Sequence, residues 1–179
     1  IFLSINRNKR SVALDLKKPT GRKLFLELAA GVDVVVHNMR VSAIEKLGFG
    51  YEAVRALNPG IVYCAATGFD QDGPDKDRPA FDDIIQAASG LAGLFVRAGY
   101  DQPAFVPANL CDRMTGLAAA HAAIAALYMR ARTGEGQMVE TSLLEAATSL
   151  AVYESAHYFA TGTRPARIGQ QHRGSAPYR

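Results

Sequence analysis

Cys111-Asp112-Arg113-Met114-Thr115-Gly116 sets a thiol, a carboxylate and a guanidinium side by side at the head of a long apolar stretch. Asp112 has two uses there. Its carboxylate can accept the free N–H groups of a helix's first turn, the commoner role of an aspartate in first position. It can also serve chemistry at the edge of the core. From 117 to 129 only His121 is conventionally polar, so the helix reads as apolar nearly all round and therefore buried. A carboxylate at the mouth of such a helix must be satisfied or useful, and residue type leaves both readings open. Cys111 has only Arg113 beside it as an activating charge, which makes it a poor nucleophile.

The next candidates are polar residues that follow apolar, β-branched runs. Val32-Asp33-Val34-Val35-Val36 leads into His37-Asn38-Met39-Arg40, and Ile61 to Ala66 leads into Thr67-Gly68-Phe69-Asp70-Gln71-Asp72-Gly73-Pro74. In open α/β sheets ligands bind outside the carboxyl ends of the strands. Asn38 can donate and accept, and Arg40 can hold a phosphate by two parallel bonds; a turn asparagine and a solvated arginine fit as well. Neither a Walker loop nor G-x-G-x-x-G is present, which argues against nucleotide triphosphatase and dinucleotide oxidoreductase chemistry. His37, His121, His157 and His172 lack metal-ligand spacing, and no G-x-S-x-G elbow occurs.

The elements that must position these groups alternate between strand and helix. Residues 11–16 alternate apolar and polar as a half-buried strand does, and the chain begins at Ile1 in what also reads as a strand. A helix over 22–30 ends at Gly31. Residues 32–36 and 61–66 read as strands buried on both faces. Short helices are expected over 42–47 and 51–57, then a Gly/Asp/Pro-rich loop over 67–79 and a helix over 80–91. Residues 94–108 read as irregular with room for short strands. Then come the apolar helix over 113–131, a strand over 138–141 and one long helix over 143–159. This order predicts an α/β fold, a Rossmann-like, largely parallel sheet flanked by helices.

The 179 residues, 49% hydrophobic and 21% charged, suffice for one domain with a core. A net charge of +3 and no long basic run suit a small anionic ligand and do not call for nucleic acid. Cys64 and Cys111 read as reduced thiols of a cytoplasmic protein. No apolar run has the length of a membrane span, and no signal peptide is evident. The sequence starts without methionine and stops at Ala176-Pro177-Tyr178-Arg179, so it reads as a central piece of a longer polypeptide.

Several segments together carry a resemblance to one known family. They are Asn6-Arg7-Asn8-Lys9-Arg10-Ser11 with Ala13-Leu14-Asp15-Leu16-Lys17, Asp33-Val34-Val35-Val36-His37-Asn38-Met39-Arg40, and Leu47-Gly48 with Leu57-Asn58-Pro59. Thr67-Gly68-Phe69 with Gly73-Pro74, Asp82 to Gly90, Asp112-Arg113-Met114-Thr115-Gly116, Ala125-Ala126-Leu127-Tyr128-Met129-Arg130 and Thr133-Gly134-Glu135-Gly136-Gln137 extend the likeness along the chain. Taken together they resemble the class III CoA-transferase family, which groups formyl-CoA transferase and carnitine CoA-transferase-like enzymes with α-methylacyl-CoA racemase. The resemblance implies a protein about twice this long, with a strand, loop and helix before Ile1 and a small domain after Arg179. It also implies an interlocked homodimer.

The resemblance further implies that Asp112 attacks the thioester of an acyl-CoA donor to form an aspartyl–acyl anhydride. CoA thiolate then converts this to an aspartyl-CoA thioester, which an acceptor carboxylate resolves. Such chemistry needs no tightly bound cofactor; coenzyme A and acyl-CoA are substrates. The family's racemases have a histidine before the aspartate that opens the helix at Asp82, and Phe81 in that place cannot take a proton. A transferase is therefore expected over a racemase, with a non-catalytic CoA-binding protein as the remaining alternative. CoA contacts carried over by position are Leu14, Asp15, Leu16, Lys17, Asn38, Met39, Arg40, Ala43, Lys46, Leu47, Arg78, Pro79, Ala80, Phe81 and Asp82. Met39 stands where the family usually has an aromatic, and Lys46 where it more often has arginine, which keeps the charge and loses the fork.

Overall fold

The computed structural model describes residues 2–164 with 166 and 167. Ile1, His172 and the 176–179 terminus, noted above, lie outside them. The β-branched runs form the centre. Val34–His37 (β1), Val62–Thr67 (β2) and Gln137–Ser142 (β3) make a parallel sheet in the order β1-β2-β3. β2 pairs on both sides, and Val62, Cys64 and Ala65 are fully buried, which explains why that strand is continuously apolar.

Helices flank the sheet: Phe2–Ile5 (α1), Pro19–Ala30 (α2), Val41–Lys46 (α3), Tyr51–Arg55 (α4), Asp82–Ala88 (α5), Leu91–Ala98 (α6), Leu110–Thr133 (α7), Leu143–Ser149 (α8) and Val152–Thr161 (α9). Pro19 opens α2, where the missing N–H costs nothing. α8 starts with a capping box in which the Ser142 hydroxyl accepts the Glu145 N–H and the Glu145 carboxylate accepts the Ser142 N–H. Two apolar clusters form. One joins Ala29, Ile44, Phe49, Val54, Ile61 and Tyr63 on the side of α2 to α4. The other joins Phe69, Ile85, Leu91, Cys111, Ala147 and Ala151 beneath α5, α6, α7 and α8.

Six sequence expectations need correction. Residues 32–36, read as a strand buried on both faces, supply β1 at the sheet's edge, where Val36 is exposed and Val34 and Val35 are half-buried. Residues 11–16 make no strand. They run without a sheet partner into α2, and the alternation instead places Leu14 and Leu16 half-buried between exposed neighbours. The chain's start is the short helix α1. Residues 91–98, partly read as irregular, form α6. The long terminal helix is broken between α8 and α9 by a turn at 150–151. The apolar helix is also not enclosed. α7 begins three residues earlier than expected and buries Cys111, Thr115, Ala119 and Ala126, while Leu117, Ile124, Tyr128 and Met129 stay exposed. Small residues face the sheet and large apolar ones face outward, so composition alone misjudged what this chain covers.

The stretch Arg132-Thr133-Gly134-Glu135-Gly136-Gln137, part of the resemblance noted above, is architectural. Gly134 ends α7 at φ 81°, the left-handed conformation that glycine enters without strain. Arg130 ties that end to β1, donating to the Gly60 carbonyl at 3.0 Å and pairing with Asp33 at 2.8 Å. α7 is thereby fixed at its far end, and its first turn is delivered to the carboxyl ends of β1 and β2.

Candidate active site

Asp112 is the third residue of α7, and Asn109 holds the cap position. Asp112 therefore stands two residues further into the helix than the expected first position. Asn109 does not cap the backbone in the ordinary way; its Nδ2 donates to Asp112 Oδ2 at 3.1 Å. The Asp112 N–H, one of the donors a helix's first turn leaves over, donates 2.9 Å to Asp82 Oδ2. Asp112 is thus oriented twice, through its side chain by Asn109 and through its backbone by Asp82. Its carboxylate is exposed and opens into a cavity of about 530 Å³. Asp82 and Asp83 at the start of α5, Gln86, Asn109 and the turn at Phe105 and Val106 line this space.

A second cavity of about 380 Å³ shares Asn38, Ala80 and Phe81 with the first. Met39, Arg40 and Ala43 line it from the carboxyl end of β1, and Lys76, Arg78 and Pro79 from the loop after β2. Arg40 donates to the Asp77 carbonyl at 3.3 Å, and Ser42 donates to the Asp77 carboxylate at 2.9 Å, which holds the two loops together. Arg78 pairs with Asp75 at 3.1 Å and lies 5.6 Å from the centre of the Phe69 ring. Gly68 is required by this meeting of loops, because a Cβ there would collide with the Ala80 side chain.

Of the residues carried over by position, Asn38, Met39, Arg40, Ala43, Arg78, Pro79, Ala80, Phe81 and Asp82 line these two cavities with Asp112. Leu14, Asp15, Leu16, Lys17, Lys46 and Leu47 line neither. Asp15 accepts the Lys17 N–H at 3.1 Å, Lys17 is exposed, Leu16 and Leu47 pack on the first core, and Lys46 is exposed at the end of α3. Sequence reasoning passed over Lys76, Gln86 and Asn109. The signals for two of these were present: Asn109 stands at a helix start, and Gln86 lies one helical turn after Asp82.

Electrostatics separate the neighbouring groups. Burial pushes the Cys111 thiol up to about 11, with the Asp82 and Asp112 charges adding to it. A thiol so held is no nucleophile at neutral pH. His37 is also out of play. Burial lowers its pKa, and its Nδ1 accepts the Met39 N–H at 3.2 Å, fixing the turn that carries Asn38. Among the described residues no cluster of His, Cys, Asp or Glu has an arrangement that would hold a metal ion, and no helix is long and apolar enough to cross a membrane.

A carboxylate at a helix start thus stands beside a basic cavity on a parallel sheet. The description CoA-transferase family III matches residues 1–179, and the chain belongs to that family. It is 36% identical to a succinate–glutarate CoA-transferase of Agrobacterium fabrum, over 99% of this chain and 44% of that protein. It is 35% identical to an acetyl-CoA:oxalate CoA-transferase of Acetobacter aceti, over 99% of this chain and 46% of that protein. A crystal structure of a CaiB/BaiF family protein from Brucella suis superposes with a TM-score of 0.86 at 36% identity, covering 97% of this chain and 46% of the other. The chain thus spans less than half the length of these relatives.

Proposed function

We propose that the full-length protein is a CoA-transferase that moves CoA from an acyl-CoA thioester to a carboxylic acid, with Asp112 as nucleophile. The observation that carries this is the Asp112 carboxylate at the first turn of α7, opening into a cavity that adjoins a second one bearing Arg40, Lys76 and Arg78. The first-turn amides of α7 favour charge developing on the attacked carbonyl. Asp112 adds to the thioester carbonyl, the carbon–sulfur bond breaks and CoA thiolate leaves, giving an aspartyl–acyl anhydride. The thiolate attacks the aspartyl carbonyl of that anhydride, releasing the donor acid and leaving an aspartyl-CoA thioester. The acceptor carboxylate attacks this thioester, and the thiolate displaced recaptures the acceptor acyl group, which regenerates Asp112.

Arg40, Lys76 and Arg78 would hold the diphosphate and 3′-phosphate, and Phe81, Ala80 and Asn38 would form the wall along which pantetheine passes to Asp112. The relatives named for succinate, glutarate and oxalate make short dicarboxylic acids the first acceptors to try. A racemase reading is disfavoured by Phe81, since no acid–base side chain stands before Asp82. The exposed apolar face of α7 supports the homodimer, for a patch bearing Leu117, Ile124 and Tyr128 is a poor solvent surface.

The test is chemical trapping. Full-length enzyme incubated with acyl-CoA and then hydroxylamine should carry a hydroxamate on Asp112, read as a mass shift on its peptide. An adduct on Cys111, or full transfer by Asp112→Asn, would overturn the proposal.

A further inference from the structure

Gln86 is a glutamine with 2% of its surface exposed, in a helix that otherwise buries Ile85, and it spends every polar atom on the site's frame. Its Oε1 accepts the Val106 N–H at 2.8 Å, and its Nε2 donates to the Val106 carbonyl at 3.3 Å and to Asp82 Oδ1 at 2.7 Å. The other Asp82 oxygen accepts the Asp112 N–H. A chain of bonds therefore runs from the turn at Val106, through a buried amide and a half-buried carboxylate, to the backbone of the nucleophile. A buried polar side chain is retained at a cost unless every group is satisfied. Here all are satisfied, whereas leucine in its place would leave the Val106 N–H and one Asp82 oxygen without their partner.

We propose that Gln86 is a positioning residue for the transfer reaction: it orients the Asp82 carboxylate, which grips the Asp112 N–H and so sets the angle at which the Asp112 carboxylate meets the thioester. This rests on Asp112 being the nucleophile. Asp82 alone can rotate about two side-chain bonds, and either oxygen can turn to solvent or to Asp83's side of the cavity. With Gln86 donating to one oxygen, the other faces α7. The same glutamine holds Val106 and thereby the wall of the Asp112 cavity. Asp82 in this role is a brace within the protein, since each of its oxygens already takes a protein N–H. Displacement of a reacting group by about 1 Å costs on the order of a hundredfold in rate, so a brace of this kind acts on kcat.

The experiment uses the full-length enzyme and compares wild type, Gln86→Leu, Asp82→Ala and the double variant in two assays: steady-state transfer, and the single-turnover rate of hydroxylamine-trapped acylation at Asp112. Each single variant should lower kcat and the acylation rate by about tenfold to a hundredfold while the KM for the CoA donor stays within about twofold. The double variant should be little worse than the poorer single, because both break one chain of bonds. If the KM rises while kcat holds, Asp82 is a CoA contact and the proposal fails; it fails equally if the two losses multiply or if acylation is unchanged. Gln86→Glu decides the matter should Gln86→Leu not fold. Its carboxylate repels Asp82 at neutral pH, and its protonated form donates to it again, so kcat should recover as pH falls, and a profile parallel to wild type would overturn the proposal. A wild-type enzyme that traps no adduct at Asp112 marks failure of the nucleophile reading itself, which is distinguishable from a trapped wild type whose variants acylate equally fast.

Discussion

Two cavities share a wall at Asn38, Ala80 and Phe81 and carry opposite charge. Arg40, Lys76 and Arg78 stand around one, and Asp82, Asp83 and Asp112 around the other. On the proposed mechanism, the difference teaches how a carboxylate can be kept ready to react beside a site for a polyanion. A guanidinium paired with Asp112 would stabilise the resting carboxylate and blunt its attack. Instead Asp112 is held by a neutral amide from Asn109 and through its own backbone, and none of the ion pairs among the described residues includes it. Arg78 pairs with Asp75 and Arg40 donates to a carbonyl of Asp77, which turns both away from Asp112 while leaving each further N–H groups for a phosphate.

The largest effect expected from disturbing this division falls on the reaction end. Asp112→Asn in the full-length enzyme should lower transfer by roughly a thousandfold or more, since an amide cannot replace the nucleophile. Stability should fall by only about 0.3–1 kcal/mol, the value of a first-turn charge on the helix dipole, as read by denaturant midpoint.

Next comes the phosphate end. Arg40→Ala with Arg78→Ala should raise the KM for the CoA donor by roughly a hundredfold, at about 1–3 kcal/mol per charged bond lost, with the penalty smaller for dephospho-CoA. Lys17→Ala with Lys46→Ala should cost less, because those two line neither cavity. Equal penalties for the two pairs would show that the basic cavity is not the phosphate site.

Stability should also narrow at both pH extremes. His37 has its folded pKa lowered by burial, so the unfolded chain binds that proton more readily, and stability falls as pH drops below the ordinary 6.5. Tyr63, whose hydroxyl donates 2.7 Å to the Phe49 carbonyl, is raised by burial from 10.0 to about 12, and Cys111 from 9.0 to about 11. Both folded forms hold their protons more tightly than the unfolded chain, so their contribution is complete below pH 9 and is lost as pH rises from 9 toward 12. Urea midpoints across pH would check this, and Tyr63→Phe should flatten part of the alkaline decline. The smallest change is expected for Cys111→Ala, which should retain transfer within about threefold, since a thiol this strongly protonated takes no part in the attack.

Much of the fold could be read from residue patterns, for local reasons. The continuous apolar run over 61–66 reported a strand buried on both faces, and Gly31 marked where a helix stops, whereas the run over 32–36 became the edge strand β1 with Val36 exposed. Asp112 could be singled out because a carboxylate ahead of an apolar helix is conspicuous in one dimension. The failures share a cause. Alternation over 11–16 is the pattern of a half-buried strand, yet a strand needs a partner edge, and whether one exists is not a local property. The apolar helix read as buried because composition counts side chains without saying which of them face the sheet. Its small residues do, and Leu117 and Ile124 do not.

Residue types and their order thus determined the family resemblance, the parallel α/β character and the nucleophile candidate. Tertiary structure alone decided that Asn109 and Asp82 orient Asp112, that Gln86 braces Asp82, and that Arg40, Lys76 and Arg78 meet around one space. The physical reason is range. Helix and strand periodicities are set by neighbours within a turn or two, whereas the hydrogen bond from Asp112 to Asp82 joins residues thirty positions apart. Only the packing of α5 against α7 brings that donor and acceptor within reach.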